Sequence, residues 1–311
     1  MTLARTRRAL AAAAAAALAL PFAARAQDPA SDRAAELLAS LTLEQKAGQL
    51  FMSWSLTRQS GDNHEQLLRW VRDAELGGVI LSLGAVEDAA GLVPKLQAAA
   101  KVPLLLAGDF EGGVWFRLDG ATELGNNMLF GATGSEWLCE QAGRITGEEA
   151  KALGFHWVFA PVLDVNSNPA NPIINVRSFG EDPERVATFG SAYVRGVQGT
   201  GLIACGKHFP GHGDVATDSH LEMPTVPGDA ARLHAVELRP FAAAVRAGLA
   251  SIMTGHLAVP GLGVDPKLPA TLSPHVLGDV LRQELGFDGL IVTDALDMGG
   301  VKNAFPANEV A

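Results

Sequence analysis

The sequence predicts an α/β fold, specifically a TIM-type (β/α)8 barrel that stops before its eighth strand. Short, continuously apolar runs alternate with longer amphipathic stretches, and no low-complexity linker interrupts them after residue 31. Unalternating apolar strands separated by helices are typical of a parallel sheet covered on both faces. Polar residues recur where the apolar runs end, and in such a barrel that rim carries the active site. These polar residues are Asp109, Asp164, Lys207, His208, His256 and Asp294.

The apolar runs give seven predicted strands, and the stretches between them give predicted helices. An open, doubly wound sheet is the structural alternative, because it has no required strand number. The barrel is preferred, since polar strand ends spread over most of the chain must converge on one site. The chain stops at Ala311, where a further helix is expected, so we predict a truncated barrel that is open between its first and seventh strands. The predicted strands are Leu50–Ser53, Gly78–Leu83, Leu104–Gly108, Trp157–Pro161, Ile203–Lys207, Ser251–Gly255 and Leu290–Thr293. The predicted helices include Asn63–Ala74, Glu87–Ala100, Glu136–Leu153, Pro183–Gln198, Ala231–Ala247 and Pro274–Leu285.

The N-terminus has the pattern of a cleaved signal peptide, predicted as residues 1–26, which leaves 27–311 as one catalytic domain. A basic segment precedes an apolar run, and a small-x-small site follows. The apolar run is short for a stable membrane helix, although an N-terminal anchor is the alternative. We therefore expect a periplasmic or secreted protein with no stable membrane span after cleavage. The three parts are Arg5, Arg7 and Arg8, then Ala9–Leu20, then Ala24-Arg25-Ala26.

Composition excludes several classes of protein. The net charge of −10 does not suit a nucleic-acid partner, which requires clustered Lys and Arg. A hydrophobic fraction of 48% in 311 residues is enough for one large domain with a substantial core. The two cysteines, Cys139 and Cys205, are too few for a zinc-ribbon framework, and we expect both to be free, buried thiols.

The segment Lys207–His220 gives the strongest indication of function. It leaves a predicted strand, contains three histidines and two aspartates, and has Gly211 and Gly213 for a tight loop. One interpretation is a metal site, because His and Asp are good zinc ligands, although the histidine spacings match no compact helix motif. The other is acid/base catalysis, because Asp218 and His220 lie two residues apart and point the same way in an extended loop. A carboxylate beside an imidazole fixes its tautomer and raises its basicity.

Three further segments place charged residues at or after predicted strand ends. The run Leu290–Thr293 delivers Asp294 at its carboxyl end, although an Asp in this place is also a common helix cap. Asp109 begins an acid-Phe-acid-Gly-Gly segment, where a carboxylate can bind a sugar diol or form a buried structural pair with Arg117. Arg177 follows the fourth predicted strand, where its alternative role is to hold its loop by bonding backbone carbonyls.

Together these segments resemble the N-terminal catalytic barrel of glycoside hydrolase family 3. The resemblance extends from about Leu41 to Met298, and the segments stand in the order of the family. The Asp-x-His pair within the third segment is typical of the bacterial β-N-acetylglucosaminidase branch, and the β-glucosidase branch lacks it. The segments are Asp109-Phe110-Glu111-Gly112-Gly113, Asn175–Pro183, Lys207–His220 and Thr293-Asp294.

The resemblance implies a role for each matching residue. Asp294 is then the nucleophile, His220 the general acid and base, and Asp218 the residue that orients and polarises His220. No metal and no cofactor are implied. Residues 114–116 depart from the family pattern because they are bulkier and more apolar than usual, which leaves the sugar selectivity open. The residues implied to bind the sugar are Asp109, Arg117, Arg177, Lys207 and His208.

We therefore expect a retaining exo-β-N-acetylglucosaminidase that acts on peptidoglycan or chitin fragments through a glycosyl-aspartate intermediate. Its expected partner is a carbohydrate substrate. The alternatives are a β-glucosidase or β-xylosidase of the same family, an inactive sugar-binding fragment, and a metallohydrolase. Because an imidazole acid/base adds no negative charge, phosphate is a conceivable acceptor in place of water.

Overall fold

The computed structural model describes residues 29–58 and 62–306, so the predicted signal peptide lies outside the described residues. The chain divides into two compact units, Met1–Gly48 and Gln49–Ala311. In the described part of the first unit, Thr42 and Gln45 form a reciprocal capping box at the start of the second helix, with N···O distances of 2.7 and 3.3 Å. Within the described ranges, no helix is long and apolar enough to cross a bilayer.

The second unit is built on a parallel sheet of seven strands, and two further short strands form a separate parallel pair. The strands are β1 (Met52–Leu56), β2 (Gly78–Ser82), β3 (Gly84–Ala85), β4 (Leu105–Gly108), β5 (Leu118–Asp119), β6 (Trp157–Val158), β7 (Ile203–Phe209), β8 (Ser251–Thr254) and β9 (Leu290–Thr293). The short pair is β3 and β5, and the other seven form the sheet. At the end of this sheet, β8 and β9 pair along their full length.

The order of the strands distinguishes the two predicted architectures. The seven strands lie side by side in the order in which they occur in the chain, and every neighbouring pair is parallel. A doubly wound sheet reverses its order at a switch point, so this order contradicts that alternative. It is the order of a TIM-type barrel, and the predicted fold is confirmed. Among the described residues β1 and β9 are the edges of the sheet, which is therefore open between its first and seventh strands, as predicted.

The predicted helices are present, except that one is divided in two and two are partly or wholly π-helical. Pro183–Gln198 begins as predicted because Asp182 caps it through the Glu184 N–H at 3.1 Å and proline occupies the first turn. The predicted helix Ala231–Ala247 is two helices, because Pro240 has no N–H to continue an earlier helix but is tolerated in the first turn of a new one. The α-helices are α1 (Pro29–Ser40), α2 (Leu43–Gly48), α3 (Asp62–Arg69), α4 (Val86–Ala99), α5 (Asn127–Thr133), α6 (Glu136–Ala152), α7 (Pro183–Gln198), α8 (Ala230–Ala235), α9 (Leu238–Arg246) and α10 (Gly299–Lys302). Trp70–Ala74 and His275–Glu284 are π-helical, and 3₁₀ turns occur at Val114–Phe116, Asn175–Arg177, Pro260–Leu262 and Ala270–Leu272.

Two hydrophobic clusters cover the two faces of the sheet. The larger lies between the sheet and the helices, and the smaller fills the concave side. Cys205 belongs to the smaller cluster, and both cysteines are free and buried as predicted. Burial raises the pKa of each thiol to about 12. The smaller cluster is Ala107, Trp157, Phe159, Cys205 and Met253, with Met52, Ile80, Leu105, Ile203 and Val292 packed against it.

This smaller cluster explains where the polar strand ends point. Side chains alternate between the two faces of a strand, so the residue two positions after an inward-facing one also faces inward. Asp109, Lys207 and Asp294 each stand two positions after a member or a neighbour of the smaller cluster. The three charged side chains therefore lie on the concave side, Asp109 and Asp294 directly after β4 and β9, and Lys207 in the carboxyl-terminal half of β7.

Candidate active site

The deepest part of the site is an ion-pair network that joins three predicted residues to one that the sequence analysis did not select. Lys207 Nζ lies 2.7 Å from Asp109 Oδ1 and 2.8 Å from Glu111 Oε1. Arg177 makes a two-pronged contact with Glu111, in which Nε and Nη2 each lie 2.8 Å from a carboxylate oxygen. The network therefore brings Asp109, Arg177 and Lys207 together, with Glu111 at its centre.

Mutual attraction keeps these groups charged despite their burial. Burial alone would raise the pKa of Glu111, but Lys207 and Arg177 outweigh it and hold that pKa far below its usual range. Burial would lower the pKa of Lys207, but Asp109 and Glu111 outweigh it and raise that pKa. The floor of the site is thus a fixed set of charges at neutral pH.

Asp164 organises the beginning of the loop that follows β7. Its carboxylate accepts the backbone N–H of His212 at 2.7 Å and lies 2.8 Å from His208 Nδ1. This contact places a proton on His208 Nδ1, and Nε2 lies 3.5 Å from Arg177 Nη2. Burial opposes ionisation of Asp164, but His208 and the hydrogen bonds outweigh it and lower the pKa. Asp164 therefore orients His208 toward the network.

The predicted contact between Asp218 and His220 is present. His220 Nδ1 lies 2.7 Å from Asp218 Oδ1, which also accepts the His220 backbone N–H at 2.8 Å. The His220 side chain is 60% exposed, while that of Asp218 is 24% exposed. The carboxylate thus orients an imidazole whose Nε2 is accessible to a ligand, and the catalytic role of this pair stays a prediction.

The loop that carries this pair is bonded to the first turn of α10. Three successive carbonyl oxygens accept hydrogen bonds, at 3.1 Å for Ser219, 3.0 Å for His220 and 3.2 Å for Leu221. The donors are the N–H groups of Gly300 and Gly299 and the side-chain amide of Asn303, respectively. Because α10 follows β9, these bonds join the loop to the segment that carries Asp294.

Asp294 is half-buried at the carboxyl end of β9. Its backbone N–H donates to the Thr254 carbonyl at 2.9 Å, and its Oδ1 accepts the Ala295 N–H at 2.8 Å. Burial would raise the pKa of Asp294, but nearby His208 and the Ala295 N–H outweigh it, so the pKa is lowered. The helix-cap alternative is wrong, because α10 begins only at Gly299, after Met298.

Arg117 stands apart from the network. Its guanidinium lies over the Phe116 ring, with Cζ 4.5 Å from the ring centroid, and its buried Nε has no hydrogen-bond partner. Among the described residues, the carboxylates of Asp109 and Glu111 pair with Lys207 and Arg177, so the alternative pairing with Arg117 is wrong.

The histidines of the Lys207–His220 segment have three different partners. His208 bonds Asp164 at 2.8 Å, His212 Nε2 bonds Ser219 Oγ at 2.9 Å, and His220 bonds Asp218 at 2.7 Å. In the parts of the chain that the structure describes, no group of three or more His, Cys, Asp or Glu is arranged to hold a metal ion.

Comparison with known proteins gives consistent relatives. The model of the glycosyl hydrolase family 3 N-terminal domain matches residues 42–311. A beta-N-acetylglucosaminidase/beta-glucosidase of Cellulomonas fimi is 36% identical over 288 residues, which cover 88% of this chain and 49% of the relative. Beta-hexosaminidase A of Pseudoalteromonas piscicida is 40% identical over 255 residues, 74% of this chain and 42% of the relative. The chain thus spans about half the length of these curated relatives.

Solved structures agree with the sequence relatives. The family 3 beta-N-acetylglucosaminidase of Paenibacillus sp. str. FPU-7 superposes with a TM-score of 0.80 at 42% identity, covering 86% of this chain and 51% of that one. A beta-glucoside phosphorylase superposes with a TM-score of 0.85 at 29% identity, covering 90% and 51%. With the barrel-type sheet and the family match over residues 42–311, these findings show that the chain belongs to glycosyl hydrolase family 3.

Proposed function

We propose that this protein is a retaining exo-β-N-acetylglucosaminidase that acts on peptidoglycan or chitin fragments in the periplasm or outside the cell. The observation that carries the proposal is the oriented, exposed His220 on a loop tied to the strand end of Asp294. A retaining glycosidase needs one group to attack the anomeric carbon and a second to protonate the leaving oxygen. The names of the relatives support the N-acetylglucosamine part, and the predicted signal peptide supports the location.

In the first step, a carboxylate oxygen of Asp294 bonds to the anomeric carbon as the bond from that carbon to the leaving oxygen breaks. Protonated His220 gives its Nε2 proton to the leaving oxygen, while its Nδ1–H remains hydrogen-bonded to Asp218. The lowered pKa of Asp294 keeps its carboxylate ionised and therefore nucleophilic. The products are a glycosyl-aspartate and the free alcohol.

In the second step, neutral His220 removes a proton from water through Nε2. The water oxygen bonds to the anomeric carbon, and the ester bond to Asp294 breaks. Two inversions at the same carbon give net retention. The sugar leaves with a hydroxyl group, and both catalytic residues return to their starting protonation states.

The ion-pair network is suited to hold the sugar during both steps. Lys207 has three N–H donors, of which two are directed at Asp109 and Glu111, so one is left for a sugar hydroxyl. Asp109 is partly exposed and uses Oδ1 for Lys207, which leaves Oδ2 to accept. His208 and Arg177 lie beside this pair, and we place them with Arg117 as the further sugar-binding residues.

Phosphorolysis is a second candidate reaction at the same site. One structural relative is a beta-glucoside phosphorylase with a TM-score of 0.85. An acid/base group that is neutral after the first step would not repel an incoming phosphate as a carboxylate would. Phosphate would then attack the glycosyl-aspartate and release a sugar 1-phosphate. Product analysis with and without phosphate separates the two reactions.

A panel of p-nitrophenyl β-glycosides tests the proposed substrate class. We expect the N-acetylglucosaminide to be turned over fastest, with no loss after chelator treatment. Faster turnover of the glucoside or xyloside would favour the alternatives within the family. Inhibition by a chelator that zinc reverses would favour a metallohydrolase, and no turnover of any glycoside would favour a sugar-binding fragment.

Leaving-group dependence tests the acid/base assignment. Because p-nitrophenol needs little protonation, His220→Ala should reduce its release less than it reduces cleavage of a natural disaccharide. Asp218→Asn should reduce both rates, since it weakens the orientation of His220. Equal losses on both substrates in His220→Ala would show that His220 binds the substrate rather than transferring a proton.

A further inference from the structure

A buried histidine outside the predicted catalytic set lies directly behind the nucleophile. His256 follows β8, and its side chain is fully buried. Its Nε2 lies 2.9 Å from the carbonyl oxygen of Ala295, and its Nδ1 lies 3.0 Å from the hydroxyl of Thr271. The imidazole is therefore held at both nitrogens and does not face a substrate.

The partners determine which nitrogen carries the proton. A carbonyl oxygen only accepts, so the contact with Ala295 requires a proton on Nε2. Burial lowers the pKa of His256 and favours the neutral ring, whose Nδ1 then carries no proton. The Thr271 hydroxyl donates to the Gly255 carbonyl at 2.9 Å and lies 3.0 Å from Nδ1, so these two acceptors share its one proton. This arrangement makes His256 Nε2 a donor to the carbonyl oxygen of Ala295.

The backbone of Ala295 is the next link to the nucleophile, through the two successive peptide groups that this residue joins. The carbonyl of this residue accepts from His256, while its N–H donates to Asp294 Oδ1 at 2.8 Å. A rotation of the backbone at Ala295 would therefore displace the N–H group that orients the Asp294 carboxylate. His256 is thus connected to Asp294 by two hydrogen bonds through one residue of backbone.

The Cβ of His256 also lies close to the start of α10. A Cβ added at Gly300 would be 3.0 Å from the Cβ of His256 and 3.1 Å from the Ser219 carbonyl, so the three groups are closely packed. The Gly300 N–H donates to that carbonyl, one residue before His220. His256 therefore supports both the segment of the nucleophile and the helix that holds the acid/base loop.

We propose that His256 is a positioning residue that fixes the Asp294 carboxylate through the backbone of Ala295, an inference that rests on the proposed function of Asp294. A histidine that served only to fill the core would affect stability without affecting the chemical step. If His256 is a positioning residue, the chemical step instead requires a hydrogen-bond donor to the Ala295 carbonyl at the position of Nε2. Removal of that donor should reduce kcat more than it changes KM, because the misplaced group acts on the reacting carbon.

Gln and Met form a matched pair of replacements, because they have similar shape and only the Gln amide can donate to the Ala295 carbonyl. In His256→Met we expect kcat to fall on the order of 10- to 100-fold, as misplacement of a reacting group can cause. KM should stay within about twofold, and His256→Gln should recover most of kcat. Thr271→Val, which keeps the imidazole, should reduce kcat in the same direction but less. The substrate is the glycoside that the wild-type protein cleaves fastest, so the test does not depend on which sugar that is.

Crystal structures of both variants provide a readout that does not require turnover. We expect the Ala295 carbonyl to turn away and its N–H to leave Asp294 in His256→Met but not in His256→Gln. If the Ala295 carbonyl and N–H keep their positions in His256→Met and kcat is unchanged, the proposal is overturned. An inactive wild-type protein whose variants show the expected displacement would instead count against the proposed function alone.

Discussion

At the scale of single residues, Glu111 determines the geometry of the proposed sugar-binding floor. It contacts Lys207 and Arg177 through both carboxylate oxygens and is almost fully buried. Without it, the buried Lys207 and the half-buried Arg177 would repel each other, since a buried charge is costly unless it is paired. Glu111 therefore acts by holding two predicted binding residues in place.

Glu111→Gln should destabilise the protein by about 3–5 kcal/mol, as expected when one partner of a buried ion pair is removed. The pKa of Glu111 is depressed in the folded state, so its charge stabilises the fold fully above the unfolded pKa of about 4.3. That contribution is lost as the pH falls toward the folded pKa. Denaturant unfolding at several pH values checks this, with the exposed Glu181→Gln as control. A stability difference that stayed constant down to pH 3 would contradict the account.

The site could be predicted from sequence where contacts are local or where strands end. Asp218 and His220 are two residues apart, so their contact needs no knowledge of the fold. Asp109 and Lys207 meet because Asp109 follows β4 and Lys207 lies in the carboxyl-terminal half of β7, in the same sheet. The pairing of Glu111 with Arg177, 66 residues away, depends on the path of a loop that no periodicity describes. The same loop geometry leaves Arg117 outside the network, contrary to the alternative in which Arg117 forms a buried pair with the acidic segment that begins at Asp109.

At the scale of elements, the short helix α10 joins the two segments that carry the proposed catalytic residues His220 and Asp294. Its first N–H groups bind the carbonyls of Ser219 and His220, which come from a loop about eighty residues earlier in the sequence. A Cβ on Gly299 would lie 2.3 Å from the Leu221 carbonyl and 2.8 Å from that of His220. Only glycine permits this approach of helix and loop.

Gly299→Ala should displace the acid/base loop and reduce cleavage of a disaccharide on the order of 10-fold or more, given the sensitivity of catalysis to small displacements. Release of p-nitrophenol should fall less, because it depends less on His220. Gly278→Ala is the control, since a Cβ there meets nothing within 4 Å in a helical segment. The measurement is the ratio of disaccharide cleavage to p-nitrophenol release. An unchanged ratio in Gly299→Ala would contradict the role of α10 in positioning the His220 loop.

Element boundaries show what apolar pattern alone can predict. The strand at Leu290–Thr293 agrees with the prediction because polar or glycine residues flank it on both sides. The first strand was predicted at Leu50–Ser53 but occurs at Met52–Leu56, where it pairs with Gly78–Ser82. Leu50 is apolar but 85% exposed, so pairing with the neighbouring strand, and not apolarity, sets this boundary.

At the scale of the whole molecule, the described sheet has two free edges, β1 and β9. An unpaired edge presents N–H and C=O groups that another chain can pair with. Trp54 on β1 is 53% exposed, and Leu290 on β9 is 42% exposed, which adds apolar surface at both edges. Asp294 follows β9, so the candidate site lies beside one of these edges.

Trp54→Lys should reduce self-association, because a charged side chain on an edge strand opposes pairing with another chain. Sedimentation and light scattering over a concentration series measure the effect. Trp137→Lys is the control, since Trp137 is 67% exposed but lies on α6, away from a strand edge. If both variants reduced association equally, general surface hydrophobicity and not the open edge would be responsible.

The central claim is that Asp294 attacks the anomeric carbon, and covalent trapping tests it most directly. An activated fluorosugar of the N-acetylglucosamine type slows breakdown of the glycosyl-enzyme, so that the intermediate accumulates. Peptide mapping by mass spectrometry should find one sugar per chain on Asp294, and Asp294→Ala should take up none and lose turnover. A sugar on Asp297, Asp218 or any other residue, or near-normal hydrolysis by Asp294→Ala, would contradict the account.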